Sequence, residues 1–517
     1  MLTDLTWLSP NQPFPPKSED ARLASYVKYR NLFEGKHHLV WSDLWDLQDL
    51  QDADVLLSTF FKGYYGYKKL PFNWFKIVVD VYSDFLVGEP PVLTPPTEVE
   101  QSEIDSISDR SDINVMLWDV CKDFISLGNG ICKVRFVGSP SMSPGSLIER
   151  VDPSIWFPVV DPDNVWSYTA HVLAWTFTTR IGTSDAKLLR VEIHQPGVIT
   201  SRLFWMNGSI IDHEVPLTVV DRYASVPPVV HTGVSYPLVF VVSNIREEGT
   251  CHGLSDFNDM EDLVHELERR IQRISSILDI HARPSMAGPD NMLTTDPETG
   301  EDVLRVGGRF FPIKKDEERP TYITWDGKLD ASFKEMDKIT DMLYGVTDLS
   351  PAAIGDFSRG VTPTGSAQFR RLLVRPLART NRIRLRFDNT VKRAINAASI
   401  LDVNGRIPGS VVVKLNKINW QDGLPSDPRE EAVIEQTRKN SGLTSKRSAI
   451  MRLDRCSIRD AEIELDQMKS EPRDPPREIS STDALDGSQP RDDLIPGRNR
   501  QPELTGNPVI DKIDGVK

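Results

Sequence analysis

Acidic and histidine-bearing stretches are where this 517-residue chain could do chemistry. Asp161-Pro162-Asp163 has the D-x-D spacing with which two carboxylates hold a divalent metal, as a metal-dependent nucleic-acid enzyme would require. A proline between the acids, in a turn-rich stretch, points instead to a plain turn. Glu261, Asp262, Glu266 and Glu268 put four carboxylates on one helical segment, a second candidate cluster, which reads as the solvated side of that helix. His37-His38 are adjacent, so their rings leave on different faces. His265-Glu266 lacks the second histidine of a metalloprotease helix. Neither a G-x-x-x-x-G-K-[ST] loop nor a G-x-S-x-G elbow occurs, so ATP-driven translocation is not expected of this chain. Gly128-Asn129-Gly130 and Gly307-Gly308 read as a helix stop and a hairpin turn. None of Cys121, Cys132, Cys251 and Cys456 forms a C-x-x-C pair. Cys121 falls on the stripe of Ile113, Leu117 and Phe124, and Cys132 alternates with Val134 and Phe136, so both read as small core residues in a reducing compartment. No catalytic residue, metal ligand or cofactor is assigned.

The formal charge of −14 argues against a uniformly basic nucleic-acid binder, while leaving room for local basic helices. No apolar run approaches the roughly 20 residues that cross a bilayer. Met1 to Pro16 carries Asp4 and several prolines, which does not suit a signal peptide.

The stretch that organises the chain runs from Cys251 to Ala398. A first helix opens at Gly253-Leu254-Ser255-Asp256, with Ser255 suited to its N-cap. Phe257, Met260, Val264, Leu267, Ile271, Ile274 and Leu278 follow in steps of three or four, one narrow stripe. Acids lie early and Arg269, Arg270 and Arg273 late, complementing the helix dipole. About 25 residues at 1.5 Å each span roughly 38 Å. So narrow a stripe on so long a helix suggests packing beside a parallel neighbour. An insert over 282–325 holds a hairpin signal, Val303 to Val306, Gly307-Gly308, then Arg309 to Phe311, and a strand at Thr321–Trp325. A second helix runs from about Lys328 to Val346, with Leu329, Phe333, Met336, Ile339 and Leu343 on one side. Two helices bracketing a small β unit make a stalk. The loop 347–365 is rich in Gly, Pro, Ser and Thr, a composition common in functional loops. It leads into a long helix, Ser366 to Leu401, which Pro376 should kink. One face of that helix is apolar. The other carries Arg370, Arg371, Arg375, Arg379, Arg382, Arg384, Arg386, Lys392 and Arg393, and could bind DNA or pair with acids of neighbouring copies and solvent.

Elsewhere, residues 1–20 read as extended and poorly ordered. Helices are expected over 21–35, 70–88 and 112–127. The last is followed by a strand from Ile131 to Val137. Runs at Trp156–Val160, His171–Thr178, Leu188–His194, Arg202–Trp205 and Leu238–Val242 suggest an antiparallel β-rich subdomain. Helices and strands alternate by region, which disfavours a doubly wound nucleotide fold. A strand over 410–420 and short helices over 428–469 follow. Disorder is expected from Glu471 onward.

Several of these pieces resemble tailed-bacteriophage portal proteins of the siphovirus type. They are Phe85-Leu86-Val87-Gly88-Glu89-Pro90-Pro91; Val241-Val242-Ser243-Asn244 leading to Gly253-Leu254-Ser255-Asp256-Phe257; His281-Ala282-Arg283-Pro284; and Leu349-Ser350-Pro351-Ala352-Ala353-Ile354-Gly355 before Thr364-Gly365-Ser366-Ala367. In order and spacing they cover about 20–470. The resemblance implies an α+β portal fold: an N-terminal segment 1–20, a wing 21–250, a two-helix stem 251–281 and 328–346, and a clip 282–327. It further implies a tunnel loop 347–365, a kinked wing helix with its following strand 366–427, a helical crown 428–470 and a tail 471–517.

It also implies a ring, usually of twelve copies, at one capsid vertex of a virion assembled in host cytoplasm. Double-stranded DNA would pass through it. Its partners would be the terminase large subunit, the major capsid and scaffolding proteins, and the head-completion adaptor. Residues expected to matter are Ser350, Asp356, Ser358, Arg359, Thr362 and Thr364 on the tunnel loop, and Arg305, Arg309, Phe310 and Phe311 in the clip. Phe257, Val264, Leu267, Ile271, Ile274, Phe333 and Met336 would pack the stem. Twelve helices about 10 Å apart give a bore of roughly 28 Å, enough for duplex DNA about 20 Å across. Acidic balance suits a bore that must not grip phosphates, and the carboxylates of the first stem helix could line it. Other readings are an adaptor or stopper ring, which is usually much shorter, and a metal-dependent nucleic-acid enzyme working through Asp161 and Asp163.

Overall fold

The computed structural model describes residues 1–41, 71–138, 144–281, 286–287, 293–295, 302–304, 321–322, 329–357, 366–421, 428–454, 456 and 458–470. The chain divides into two compact units, Met1–Gln436 and Thr437–Lys517.

The core of the first unit is mixed helix and strand. Helix α1 (Asp20–Phe33) is followed by α2 (Trp74–Val87), whose first turn is capped by the Asn73 side chain accepting from Lys76 N–H. Trp74, Phe75, Val78, Val79, Tyr82 and Leu86 recur at helical spacing and are buried. Strand β1 (Val92–Thr94) precedes α3 (Glu98–Ser111), which the sequence reading did not foresee. Its apolar content is low, but Thr97 caps Glu100 N–H and its hydroxyl donates to the Glu100 side chain, in the T-x-x-E sequence of a capping box. Helix α4 (Ile113–Leu127) ends at Gly128 in the left-handed region, as the helix stop predicts. Strands β2 (Asn129–Val137) and β3 (Gly145–Arg150) form an antiparallel sheet against which α4 packs.

The second layer is an antiparallel sheet of β4 (Trp156–Asp161), β5 (Asn164–Ile181), β6 (Ser184–Gln195), β7 (Val198–Asn207) and β8 (Ile210–Val215), with β9 (Val229–His231) also on β7. Two-residue turns join β5 to β6 and β7 to β8, and Gly182 and Gly208 in them take the positive φ such turns require. The expected strand at Leu238–Val242 is β10 (Val239–Ser243), but it pairs with β2 rather than with this sheet. Residues 1–20 are not loose. Leu2 bridges Val159, Pro13 bridges Ile210, and Trp7 and Phe14 each lie with ring centres 5.5 Å from Phe157. Three apolar side chains on the sheet, Trp7, Leu8 and Phe14, overcome the extended, proline-rich local preference.

The short pair β11 (Ile245–Arg246) and β12 (Gly253–Leu254) leads into α5 (Phe257–His281). Its stripe does not await a neighbour: Phe257, Met260, Val264 and Leu267 are buried in the main core of their own chain, against Tyr29 and Phe75. Only Leu278, towards the far end, is half exposed. Beyond α5, β13 (Met286–Ala287) pairs with β16 (Thr321–Tyr322), and β14 (Leu293–Thr295) with β15 (Asp302–Leu304). The hairpin expected at Gly307-Gly308 lies outside the described residues. Val303 and Leu304 pair instead with Thr294 and Leu293 upstream. Helix α6 (Asp330–Thr347) returns along α5, with Arg270 bonded to Glu335 at 3.0 Å. The expected long helix is two, α7 (Ser366–Leu372) and α8 (Val374–Asn404), broken at Leu373. Pro376 lacks the N–H that would bond the Leu372 carbonyl, so the helix stops there and restarts. The strand expected over 410–420 is confined to β17 (Lys417–Asn419), paired with β1.

In α9 (Pro428–Asn440), α10 (Lys446–Leu453) and α11 (Ile458–Ser470) the expected short helices are present. Within the second unit, Ala449 and Ala461 are buried and Arg447 bonds Glu462 at 2.7 Å. The tail from 471 lies outside the described residues.

Candidate functional site

The head of α5, the foot of α6 and the middle of α8 meet at one charged junction. Glycines bring the chain there: Gly128 and Gly253 pass so closely that a Cβ on either would sit 2.1 Å from the other's carbonyl oxygen. Ser255 then donates to the Ser126 carbonyl (2.6 Å) and accepts from Phe257 N–H (3.0 Å), as expected of a capping residue. Asp256 follows, buried, accepting from Asn244 Nδ2 at 2.8 Å.

From α8, Arg379 meets Asp256, donates to the Thr347 carbonyl at 3.1 Å and lies 4.5 Å over the Tyr82 ring. Tyr82 Oη donates to that same carbonyl at 2.7 Å. Burial opposes the Arg379 charge, but Asp256 and Tyr82 outweigh it and raise its pKa. One turn to either side, Arg375 and Arg382 hold the two oxygens of Asp348 at 2.8 and 2.9 Å. Asp348 sits just past α6 with φ +57°, a left-handed stop. Arg386 donates to the Ser243 carbonyl at 3.1 Å. These groups border an open cleft of about 210 Å³, in which Asp256 and Asp348 already face guanidinium partners and Asp259 is the third carboxylate. Such an arrangement locks three helices together.

Pairing with acids of neighbouring copies is one expectation for the basic face of α8. At Arg375, Arg379 and Arg382 the acids belong to the same chain. The 375, 379, 382 spacing places them on one side, a signal the sequence carried. Their partners, as far as 123 residues away, it did not carry.

Of the tunnel-loop residues, Ser350 precedes a 3-10 turn (Pro351–Ile354) and Asp356 N–H bonds the Pro351 carbonyl at 3.0 Å. Ser358, Arg359, Thr362 and Thr364 lie outside the described residues, as do Arg305, Arg309, Phe310 and Phe311. Phe257, Val264 and Leu267 share one core, with Ile271 and Met336 half-buried upon it, and Ile274 is buried. Phe333 does not join them: it is 48 % exposed, because the α6 residues turned to the core are Met336, Ile339 and Leu343.

Glu268 also differs from expectation. It is fully buried, 2.5 Å from His37 Nδ1 and accepting from Phe72 N–H, while Glu261 pairs with Lys28 and Glu266 with Arg270. His37 is buried and His38 partly exposed, which fits the different faces expected of adjacent residues. Asp161 accepts from Asp163 N–H at 3.0 Å, the plain turn. Cys121 and Cys132 are buried, and burial pushes both thiols up to about 12, so they are poor nucleophiles.

No family model matches the chain, and no curated protein matches it in sequence. Among solved structures it is similar to a chain from the neck of a native GTA particle computed with C12 symmetry. The identity is 14 %, covering 78 % of this chain and 93 % of that one, with a TM-score of 0.39. It is likewise similar to a chain from the virion of a native gene transfer agent particle (14 %, 77 % and 92 %, TM-score 0.38) and to one from the neck of an empty GTA particle computed with C6 symmetry (13 %, 75 % and 91 %, TM-score 0.38).

Proposed function

We propose that the chain is one subunit of a ring-shaped portal at a capsid vertex. The ring, of about twelve copies by its resemblance to portal proteins, passes double-stranded DNA inward during packaging and outward at ejection. It docks the terminase and later the head-completion adaptor. Its work is mechanical, and on this reading it holds no catalytic centre.

One observation carries the reading. Helices α5 and α6 run out and back around short strand pairs, and both are pinned at their base by Arg379 of α8. A rod pair anchored at one end and capped by a small β unit at the other suits a stem that carries a clip. The loop between α6 and α7 starts at this same anchor, where Asp348 is held by two arginines. It is therefore fixed at its root, and beyond Asp356 its sequence is rich in Ser, Thr and Gly with Arg359 as its one charged residue. A moving duplex needs contacts of that kind, since each added Lys or Arg contact strengthens salt-sensitive grip.

Negative-stain microscopy of the purified chain tests this. Rings with a central hole are expected. Compact single-chain particles at every concentration contradict it.

A further inference from the structure

Two exposed helix faces of the first unit remain unexplained by the core. On α8, Val374, Ala378, Asn381, Leu385 and Asn389 form one exposed ridge at steps of three and four. Val374 is 59 % and Leu385 78 % exposed. Arg375, Arg382 and Arg386 run alongside, with Arg371 just before them and Arg246 near Arg386. Asp348 is one carboxylate shared by two of these guanidiniums, whose side chains stay 63 % and 64 % exposed, so the face keeps a net positive charge.

On α3, Glu98, Ser102, Asp105 and Asp109 form an exposed stripe, again at steps of four and three, and Asp112 follows. Asp105 accepts from Gln101 rather than from a cation. Val99 on α3 is 59 % exposed, and Val115 on the following α4 is 56 % exposed. The other side of α3 is spent on its own chain, where Ile104 and Ile107 are buried and Arg110 reaches Asp402.

We infer that the basic, Leu385-bearing face of α8 docks on the acidic face of α3 in a second copy of this chain. The ridge from Val374 to Asn389 is about 22 Å long and the stripe from Glu98 to Asp109 about 16 Å, so three turns can lie against three turns. Each face pairs isolated exposed aliphatic side chains with charge of one sign, and the signs are opposite. A two-fold axis through the α8 face would set arginine against arginine, and one through the α3 face acid against acid. Charge therefore selects contacts between unlike faces, and since every copy offers both, the head-to-tail contact can repeat around the ring proposed above. The inference rests on the ring reading and names the surfaces that build it.

The test uses the full chain, with sedimentation velocity across a concentration series and circular dichroism to confirm folding. One variant carries Arg371→Glu and Arg386→Glu, a second Asp105→Arg and Asp109→Arg, a third all four, and a fourth Leu385→Asp alone. Each reversal should raise the concentration needed for assembly by roughly tenfold or more, the four-fold variant should recover it, and Leu385→Asp should weaken assembly without unfolding the chain. Should a reversal unfold the chain, Leu385→Asp decides. Reversals or Leu385→Asp that assemble like the parent overturn the inference and leave the ring standing. A parent chain that stays single at all concentrations removes the ring itself. Reversals that assemble normally but lose duplex DNA binding make α8 a nucleic-acid face, and also overturn the inference.

Discussion

Arg379 ties together two points that are 91 residues apart by count, Asp256 before α5 and Thr347 at the end of α6, from a position on a third helix. The Arg379 side chain is 14 % exposed and that of Asp256 6 %, so little water would compensate either charge if the other were removed.

Arg379→Ala should therefore destabilise the chain by about 3–5 kcal/mol, read from urea unfolding. Asp256→Ala should cost a similar amount, and the double variant clearly less than the sum. Arg379→Lys should recover only part, because an ammonium cannot reproduce the planar stacking on Tyr82 together with two separate acceptors.

The close passage of Gly128 and Gly253 leaves no room for a methyl group. Gly128 adds φ +84°, so Gly128→Ala faces both strain and collision, and should cost about 3 kcal/mol or more in thermal unfolding. Gly182→Ala is the control. Its φ is +62° but nothing lies near its Cβ direction, so only about 1 kcal/mol should be lost.

Acid should weaken the large sheet. Burial, with His194 opposite, pushes His171 down to about 3 from 6.5, and its Nδ1 accepts from Trp156 Nε1 at 3.1 Å. Between these values the unfolded chain binds a proton that the native chain refuses, so stability falls as pH falls, by up to roughly 1.4 kcal/mol per pH unit. Burial opposes the Glu192 charge, but His194 and Lys133 outweigh it and hold Glu192 at about 2, down from 4.5. That carboxylate adds a second loss between about pH 4.5 and 2. Far-ultraviolet melts against pH should show the decline beginning near pH 6. In His171→Gln the decline between about pH 6 and 4.5 should become shallower without vanishing, because burial also lowers His194 and His252, and an unchanged slope would remove His171 from the explanation.

Arg359 is the only formal positive charge between residues 347 and 365. On the portal reading Arg359→Ala should lower the DNA retained by packaged particles, measured by nuclease protection. Packaging and retention at the parent level would count against a phosphate contact at that side chain.

Much of this architecture was readable because periodicity is local. The stripes of α2, α4 and α5 and the Gly128 stop stand out within a single window, and Pro376 marked the α7–α8 break to within three residues. What escaped depended on distant partners. Glu268 looked solvated because His37, which buries it, lies 231 residues away. Trp7 and Phe14 looked idle until Phe157 met them. The arginines of α8 were visible as a basic face, yet nothing local said that Asp256 and Asp348 would answer them. Helix α3 was legible only through its capping box, since Ile104 and Ile107 are its only fully buried apolar residues.

The central claim is an open ring built from rod pairs around an axis. Electron cryomicroscopy of the assembled chain, measuring the narrowest diameter along that axis, tests it most directly. A through-going bore of roughly 28 Å between neighbouring copies of α5 and α6 is predicted. An assembly with no axial opening, or with helices closed to less than the roughly 20 Å of a duplex, would contradict it.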